Sequence, residues 1–532
     1  MRNRTKTSPL LPLGLSLLLL STEACRSGNS GASAWESISS IFEENVDPAS
    51  ITVAKESLLK DLADSTFRNK HIIAGIEELY SHNEGAPLWL DELHIADNVS
   101  QILNNISDLQ LDGLHAEQYE LSRLRNFYEQ KTKNKDSLAH FDVLLSKNLV
   151  AAAVDLTFGQ SHPGKVDSDW HARNDSTFSA LPLLEGVREK QDDIFAAFRP
   201  QNPRYEMMRK GMSHWMHLKN DSNYLALKQQ LKEGDNSALL PIIQAELSEN
   251  EADSNLIADY RYLRHIGRTN NIDETLNTVL QREPEWYLNQ LSINMERMRW
   301  LPNNADSTYI WANIAQAELD YFKDGINQFH TRTIVGALHT QTPTILESMK
   351  QIVLCPPWNL PHSIVLKDYG GRIPAKYEVY KGGKRVPNSM VNTSNYKQFN
   401  VRQPPGPYAA LGYVKFNLPN KWDIYLHDTP NRSLFGNKKR TLSHGCVRVK
   451  DPISLAALVL EPKGYSKDSI SHIIKKNKTL HIPTDHVPVY IIYCTVNADS
   501  SLRQLIYLQD VYKKDEALLQ HLADKNRHHS RL

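Results

Sequence analysis

The sequence predicts an α+β chain in which helical domains precede a mostly β domain. Apolar residues recur at helical spacing through the first half, as in Leu58, Leu59, Leu62 and then Ile72, Ile73, Ile76, Leu79. Beyond Pro302 the hydrophobic period falls to two and Pro/Gly turns appear. Glycine is scarce, 23 of 532 residues against a usual ~7%, as suits a chain with a large helical share.

At roughly 150 residues per domain, 532 residues make about three domains, each able to bury a core. The 61 Lys+Arg balance 61 Asp+Glu, which argues against a whole-protein nucleic-acid binder. Four cysteines are too few for a disulfide scaffold.

In chain order, Arg2, Arg4 and Lys6 precede an apolar stretch from Leu10 to Leu20 that is too short to span a bilayer. With Ala24-Cys25 after it, residues 1–24 resemble a lipoprotein signal peptide, which would leave Cys25 lipidated at the mature N-terminus. Ordinary signal cleavage and an uncleaved anchor are the alternatives, and all three place the rest outside the cytoplasm. Residues 25–50, rich in Ser and Gly in their first part, read as a flexible tether.

Residues 51–220 read as a helical domain, with Asp112-Gly113 as a helix stop and a long amphipathic helix from Phe141 to Phe158. Residues 221–288 read as a second helical piece of three-helix size, and 289–302 as a helical linker. The first helical part carries neither metal-ligand spacing nor a phosphate-cradling glycine loop, so it reads as scaffold.

Residues 303–500 read as the β domain. Tyr309 to Tyr321 and Ile326 to Val335 form an expected hairpin around Asp324-Gly325, and strands follow at 351–354, 424–426 and 487–496. The turn-rich, polar stretch 370–407 reads as a lid over the core. Residues 501–532 are a C-terminal segment whose end, from Asn526, reads as frayed. Cys355 and Cys494 fall in expected strands and read as buried free thiols, with a disulfide as the alternative.

The chemistry concentrates in Tyr425-Leu426-His427-Asp428-Thr429-Pro430 and Ser443-His444-Gly445-Cys446-Val447-Arg448. A thiol beside His444 and Gly445 suits a nucleophile: glycine permits a tight turn and leaves room for substrate. A thiol of pKa ~8.5 needs an imidazole or positive field for activation, and His427 and His444 are the candidates. The turn amides could stabilise an oxyanion. Zinc would need a fourth ligand, which is absent at metal spacing, and a buried structural thiol fits poorly beside His-Gly. No metal or cofactor is expected.

His427 followed by Ser443-His444-Gly445-Cys446 resembles the signature of the L,D-transpeptidases, whose YkuD-type catalytic domain cross-links bacterial peptidoglycan. Thr333-Ile334-Val335-Gly336, Gln341-Thr342-Pro343, Pro357-Trp358-Asn359-Leu360-Pro361 and Ala410-Leu411-Gly412 extend the resemblance to the large, scaffold-bearing, YcbB-like branch. It implies a scaffold domain over 51–220 and a degenerate peptidoglycan-binding-like module over 221–288. The usual Asp-Gly-x-Ile-Gly turn of that module is missing, and Asn270-Asn271-Ile272-Asp273 stands there.

The resemblance further implies that Cys446 attacks a donor tetrapeptide stem and releases its terminal residue. An amine of a second stem then resolves the thioester into a 3–3 cross-link. Cys446 is then the nucleophile and His427 the general base, with the His444, Gly445 and Cys446 amides and the Tyr425 hydroxyl as the oxyanion hole. Arg448, Trp358 and Ser443 are the expected substrate contacts, with Tyr408 as a further cleft candidate. The basic run Lys438-Lys439-Arg440 either attracts stem carboxylates or is a solvated loop. The implied partners are peptidoglycan stems, a membrane through the lipid anchor, and other cell-wall synthesis proteins in a Gram-negative-type periplasm. An L,D-carboxypeptidase and a non-catalytic peptidoglycan-binding scaffold are the alternatives.

Overall fold

The computed structural model describes residues 45–62, 66–172, 174, 176–248, 255–303 and 306–529. The expected signal peptide, the candidate lipidation site Cys25 and most of the tether lie outside the described residues. The tether cannot reach 50, because Pro48–Leu59 is already helix. Asp47 caps it by accepting the Ser50 amide at 2.7 Å, and Pro48 supplies the preset φ of a first turn.

The first helical domain is built around α1, Lys135–Phe158, most of which is buried. Its apolar residues run all round the helix, which is why it becomes a central rod rather than a surface helix. The two carboxylates it buries are both satisfied. Asp142 accepts from Tyr80 Oη at 2.6 Å and from the Trp89 amide at 2.7 Å, and Asp155 takes a two-pronged bond from Arg68.

A second core joins α2, Pro203–Asn220, to α3, Pro284–Arg299, and to the helices between them. Two expectations need correction here. Residues 221–288 hold four helices before α3, at 222–232, 239–247, 256–263 and 274–280, rather than three. These helices share their core with α2, α3 and the β domain instead of closing on themselves. The expected linker 289–302 is the buried C-terminal half of α3, with Asn294, Glu296, Arg297 and Arg299 all inside. Buried charges disguised it as a polar connector in sequence. Arg297 pairs with Asp515 at 2.7 Å, and Glu296 accepts the Ser161 amide at 2.8 Å.

The β domain is a nine-stranded sheet that closes on itself. Its strands are β1 Tyr309–Asn313, β2 Glu318–Lys323, β3 Ile326–Gly336, β4 Ile345–Leu354, β9 Val414–Asn417, β10 Leu426–His427, β11 Thr441–Ser443, β12 Val447–Val449 and β13 Leu480–Ile492. They lie in the order β11-β3-β12-β10-β9-β4-β13-β1-β2, and β2 also pairs with β3 to complete the ring. The expected first strand, 309–321, splits into β1 and β2 around a turn at 314–317, while Asp324-Gly325 makes the β2–β3 turn as expected.

The lid is larger and better ordered than a polar insertion. Strands β5 Trp358–Asn359, β6 Glu378–Lys381, β7 Lys384–Val386 and β8 Asn400–Gln403 form a separate sheet, with a helix at His362–Lys367. Val365, Tyr377, Val379, Phe399 and Val401 give it a core of its own. It therefore begins near 358 rather than 370. Two-residue strands and a six-residue helix leave too little periodicity to read in sequence.

The boundary at 500 cuts a hairpin in which Val496–Ala498 pairs with Leu505–Tyr507. After it, α4, Asp515–His529, continues past the position expected to fray. Cys355, Cys446 and Cys494 are free thiols, and the first and last are buried.

Candidate active site

Strand alternation sets which residues reach the site. Leu426, Val447 and Val449 are fully buried toward the barrel core, so His427 and Arg448 project from the opposite face. Register places Lys415 of β9 opposite His427 of β10, and His427 opposite Arg448 of β12. The three side chains form a row across three strands.

The turn before β12 carries the thiol. Gly445 adopts φ +121°, a conformation that side chains with a Cβ rarely take. Ser443 Oγ accepts the Gly445 amide at 3.1 Å and donates to the Cys446 carbonyl at 2.6 Å. Thr342 Oγ1 donates to the Gly445 carbonyl at 2.6 Å and accepts the Gly336 amide at 2.8 Å. Thr340 Oγ1 donates to the Ser443 carbonyl at 3.0 Å. The turn is held from both sides.

These bonds correct two expectations. Ser443 is committed to the turn rather than to substrate, because its one hydroxyl already donates and accepts. The Gly445 amide points at Ser443 Oγ, so it is not an oxyanion-hole donor in this arrangement. His444 is exposed beside the turn.

The Cys446 thiol donates to the Asp423 carbonyl at 3.5 Å. Asp423 holds φ +55°, unusual for a residue with a side chain, and this aims its carbonyl at the sulfur. Burial pushes the thiol pKa above its usual value, opposed by hydrogen bonds from the Tyr425 amide and hydroxyl and by the nearby Lys415 charge. Burial and the adjoining thiol raise the Tyr425 hydroxyl, which also meets the Trp358 indole, so it stays a donor. Trp358 arrives from β5 of the lid, paired with Gln403 of β8.

His427 is buried, and its Nδ1 lies 2.5 Å from the Asp428 carbonyl. A carbonyl only accepts, so Nδ1 carries the hydrogen and Nε2 keeps the basic lone pair. Burial first, then the charges of Arg448 and Lys415, push the imidazole pKa down to about 3. It is neutral at physiological pH. The Asp428 carboxylate accepts the Tyr413 amide at 2.8 Å, the Thr429 amide at 2.7 Å and Arg432 Nη2 at 2.5 Å, so the carbonyl that orients the imidazole cannot drift.

Arg448 is partly buried, and its Nε has no hydrogen-bond partner among the described residues. Tyr408 is 86% exposed at the lid's return, so it lines no cleft wall here. The basic run divides. Lys438 and Lys439 are solvated, but Arg440 is buried and donates to the Gln316, Ala317 and Thr333 carbonyls, which fastens the β1–β2 turn to the barrel. Among the described residues no three His, Cys, Asp or Glu side chains cluster closely enough to hold a metal ion.

Sequence reasoning missed Lys415, Asp423 and the turn-binding role of Thr342. Lys415 lies in an ordinary alternating strand, and only register brings it to His427. Asp423 acts through its main chain, which no side-chain pattern reveals.

Comparison with known proteins assigns domains to the chain. Residues 307–491 match the model of the L,D-transpeptidase catalytic domain, and residues 74–212 match that of the Scaffold domain. A Haemophilus influenzae protein described as a candidate L,D-transpeptidase is 29% identical over 314 residues, 56% of this chain and 60% of that protein. The chain thus spans about 60% of the length of the curated relative it matches. Two solved structures align over 35% of the chain each. The Ldtfm–avibactam carbamoyl enzyme is 12% identical, with 49% of that chain covered and a TM-score of 0.18. A cysteine-to-serine mutant of the Enterococcus faecium L,D-transpeptidase is 10% identical, with 50% of that chain covered and a TM-score of 0.15.

Proposed function

From a chain that carries an L,D-transpeptidase catalytic domain behind a Scaffold domain, we propose a cysteine acyltransferase that forms 3–3 cross-links between peptidoglycan stems. One observation carries the reading: a thiol in a turn fastened by Ser443 and Thr342, directly before the strand paired with the one on which His427 is locked with Nε2 basic.

Both groups start neutral, since the thiol is raised and the imidazole lowered. Proton transfer therefore accompanies attack rather than preceding it as a standing ion pair. Nε2 takes the thiol proton as Sγ bonds to the donor carbonyl carbon. The Tyr425 hydroxyl and the turn amides other than that of Gly445 stabilise the oxyanion. Collapse breaks the C–N bond, and the proton on Nε2 passes to the departing amine of the terminal residue, leaving a thioester. In the second half an amine of another stem attacks the thioester carbon, Nε2 takes its proton, and Sγ departs and recovers that proton. One amide bond is broken and one is made.

The lid's own core favours transfer over hydrolysis in this reading, since a folded cover would keep water from the thioester. In the same reading the enzyme works in the periplasm, tethered through lipidated Cys25, with stem peptides and cell-wall synthesis proteins as partners.

The test is incubation of the purified protein with disaccharide tetrapeptide and mass spectrometry of the products. Cross-linked dimer that disappears in Cys446→Ala is the expected result. Tripeptide without dimer would make it an L,D-carboxypeptidase, and no acylation of Cys446 would leave a binding scaffold.

A further inference from the structure

Lys415, like Arg448, is a cation that the catalytic steps leave unused. It stands on β9 opposite His427, which stands opposite Arg448, so the imidazole is flanked by a cation on each side. The Lys415 ammonium lies 3.9 Å from the centre of the Tyr425 ring, the ring whose hydroxyl meets Cys446 Sγ. It feels the charge of Asp423, but among the described residues it forms no ion pair. Burial lowers its pKa from the usual value, against the charges of Cys446 and Asp423, which act to raise it. Partly buried cations are ordinarily matched by an anion. Here the nearby Asp423 acts on it without a direct ion pair among the described residues.

We infer that Lys415 binds the terminal carboxylate of the acyl donor, and so selects donors that end one residue beyond the bond that is broken. This rests on the thioester reading above. In a departing α-amino acid the amine nitrogen, Cα and carboxylate carbon are consecutive atoms. The carboxylate is therefore held within two bonds of the atom that leaves, and a carbonyl carbon seated on Sγ carries it toward the cations around Tyr425. Lys415 is the cation in contact with that ring. Arg448, beyond His427, remains free for a different anionic group of the stem.

The ionised carboxylate makes a charge-assisted contact that a neutral amide cannot, a difference of about tenfold or more in kcat/KM. The experiment measures Cys446 acylation of the full chain by intact-mass spectrometry, with disaccharide tetrapeptide and with the same donor carrying a C-terminal carboxamide. The wild type is expected to prefer the free carboxylate by at least about tenfold, Lys415→Met to bring the ratio within about threefold, and Lys415→Arg to retain most of it. Both donors meet the same thiol in the same preparation, so the ratio is insensitive to lost folded protein or altered nucleophilicity. If Lys415→Met does not fold, Lys415→Gln is read in the same way. An unchanged ratio in the neutral variant overturns the inference, as does a wild type without preference. Absence of acylation by either donor instead overturns the thioester reading.

Discussion

The Asp428 main-chain carbonyl sits 2.5 Å from His427 Nδ1, while the carboxylate of the same residue pins the surrounding backbone through Tyr413, Thr429 and Arg432. Adjacent residues thus divide the work. One keeps its free lone pair on Nε2, and the other fixes that tautomer and stops its own carbonyl from turning away.

Gly412 leaves room for that clamp. A Cβ there would lie 2.3 Å from Asp428 Cγ, and the residue holds φ +57°. Gly412→Ala should destabilise the protein by about 2 kcal/mol or more, through overlap and strain together. Urea denaturation at pH 7 reads this as a lower midpoint, and an unshifted midpoint would refute the clamp.

The depressed His427 pKa gives stability a pH signature. The unfolded imidazole takes a proton near its ordinary value of 6.5, whereas the folded one waits until about 3. Between these the unfolded state binds more protons, so stability is full above pH 6.5 and falls as pH drops toward 3. The slope from this one group approaches about 1.4 kcal/mol per pH unit. His427→Gln should flatten that part of the stability–pH curve measured by denaturation. A curve of unaltered slope would deny the buried neutral imidazole.

Since burial raises the Cys446 thiol, its alkylation by iodoacetamide should be slow at pH 7 and climb toward pH 9 and beyond. Tyr425→Phe removes a bond that favours the thiolate and should move the profile to higher pH. A profile centred below pH 7 would point to a preformed thiolate–imidazolium pair instead.

Ser443→Ala should lower kcat about tenfold or more and change KM little, because its hydroxyl holds the nucleophile turn through Gly445 and Cys446. A large rise in KM at constant kcat would return Ser443 to the substrate contacts.

A stacked pair links the helical domain to the loop beside Cys446. His171 lies on Trp422 with ring centres 4.0 Å apart and planes 16° apart, and Trp422 precedes Asp423, whose carbonyl takes the thiol. His171→Ala should shift the thiol alkylation profile, and His171→Phe should restore it by keeping the stack. A wild-type profile in His171→Ala would show that the loop holds itself.

Much of this was legible in the sequence, and for a physical reason. A long apolar helix, period-two strands, an Asp-Gly turn and a Cys beside His and Gly are local patterns, set by backbone geometry over a few residues. They located the helical half and the β-rich domain, and pointed to Cys446 and His427 as candidates. The lid's true start, the buried half of α3 and the fourth helix of the 221–288 region were not legible. Short strands carry little periodicity, and Glu296, Arg297 and Arg299 look like surface until their partners are placed.

By itself the sequence determined which residues are available for chemistry and that helices precede the barrel. Only the tertiary structure decided their employment. Register between strands distant in the chain set Lys415 and Arg448 on either side of His427, and hydrogen bonding consumed Ser443 and the Gly445 amide in holding the turn. A left-handed Asp423 aimed a carbonyl at the sulfur. Desolvation and the surrounding charges, which depend on what packs around a group, decided that thiol and imidazole are both neutral.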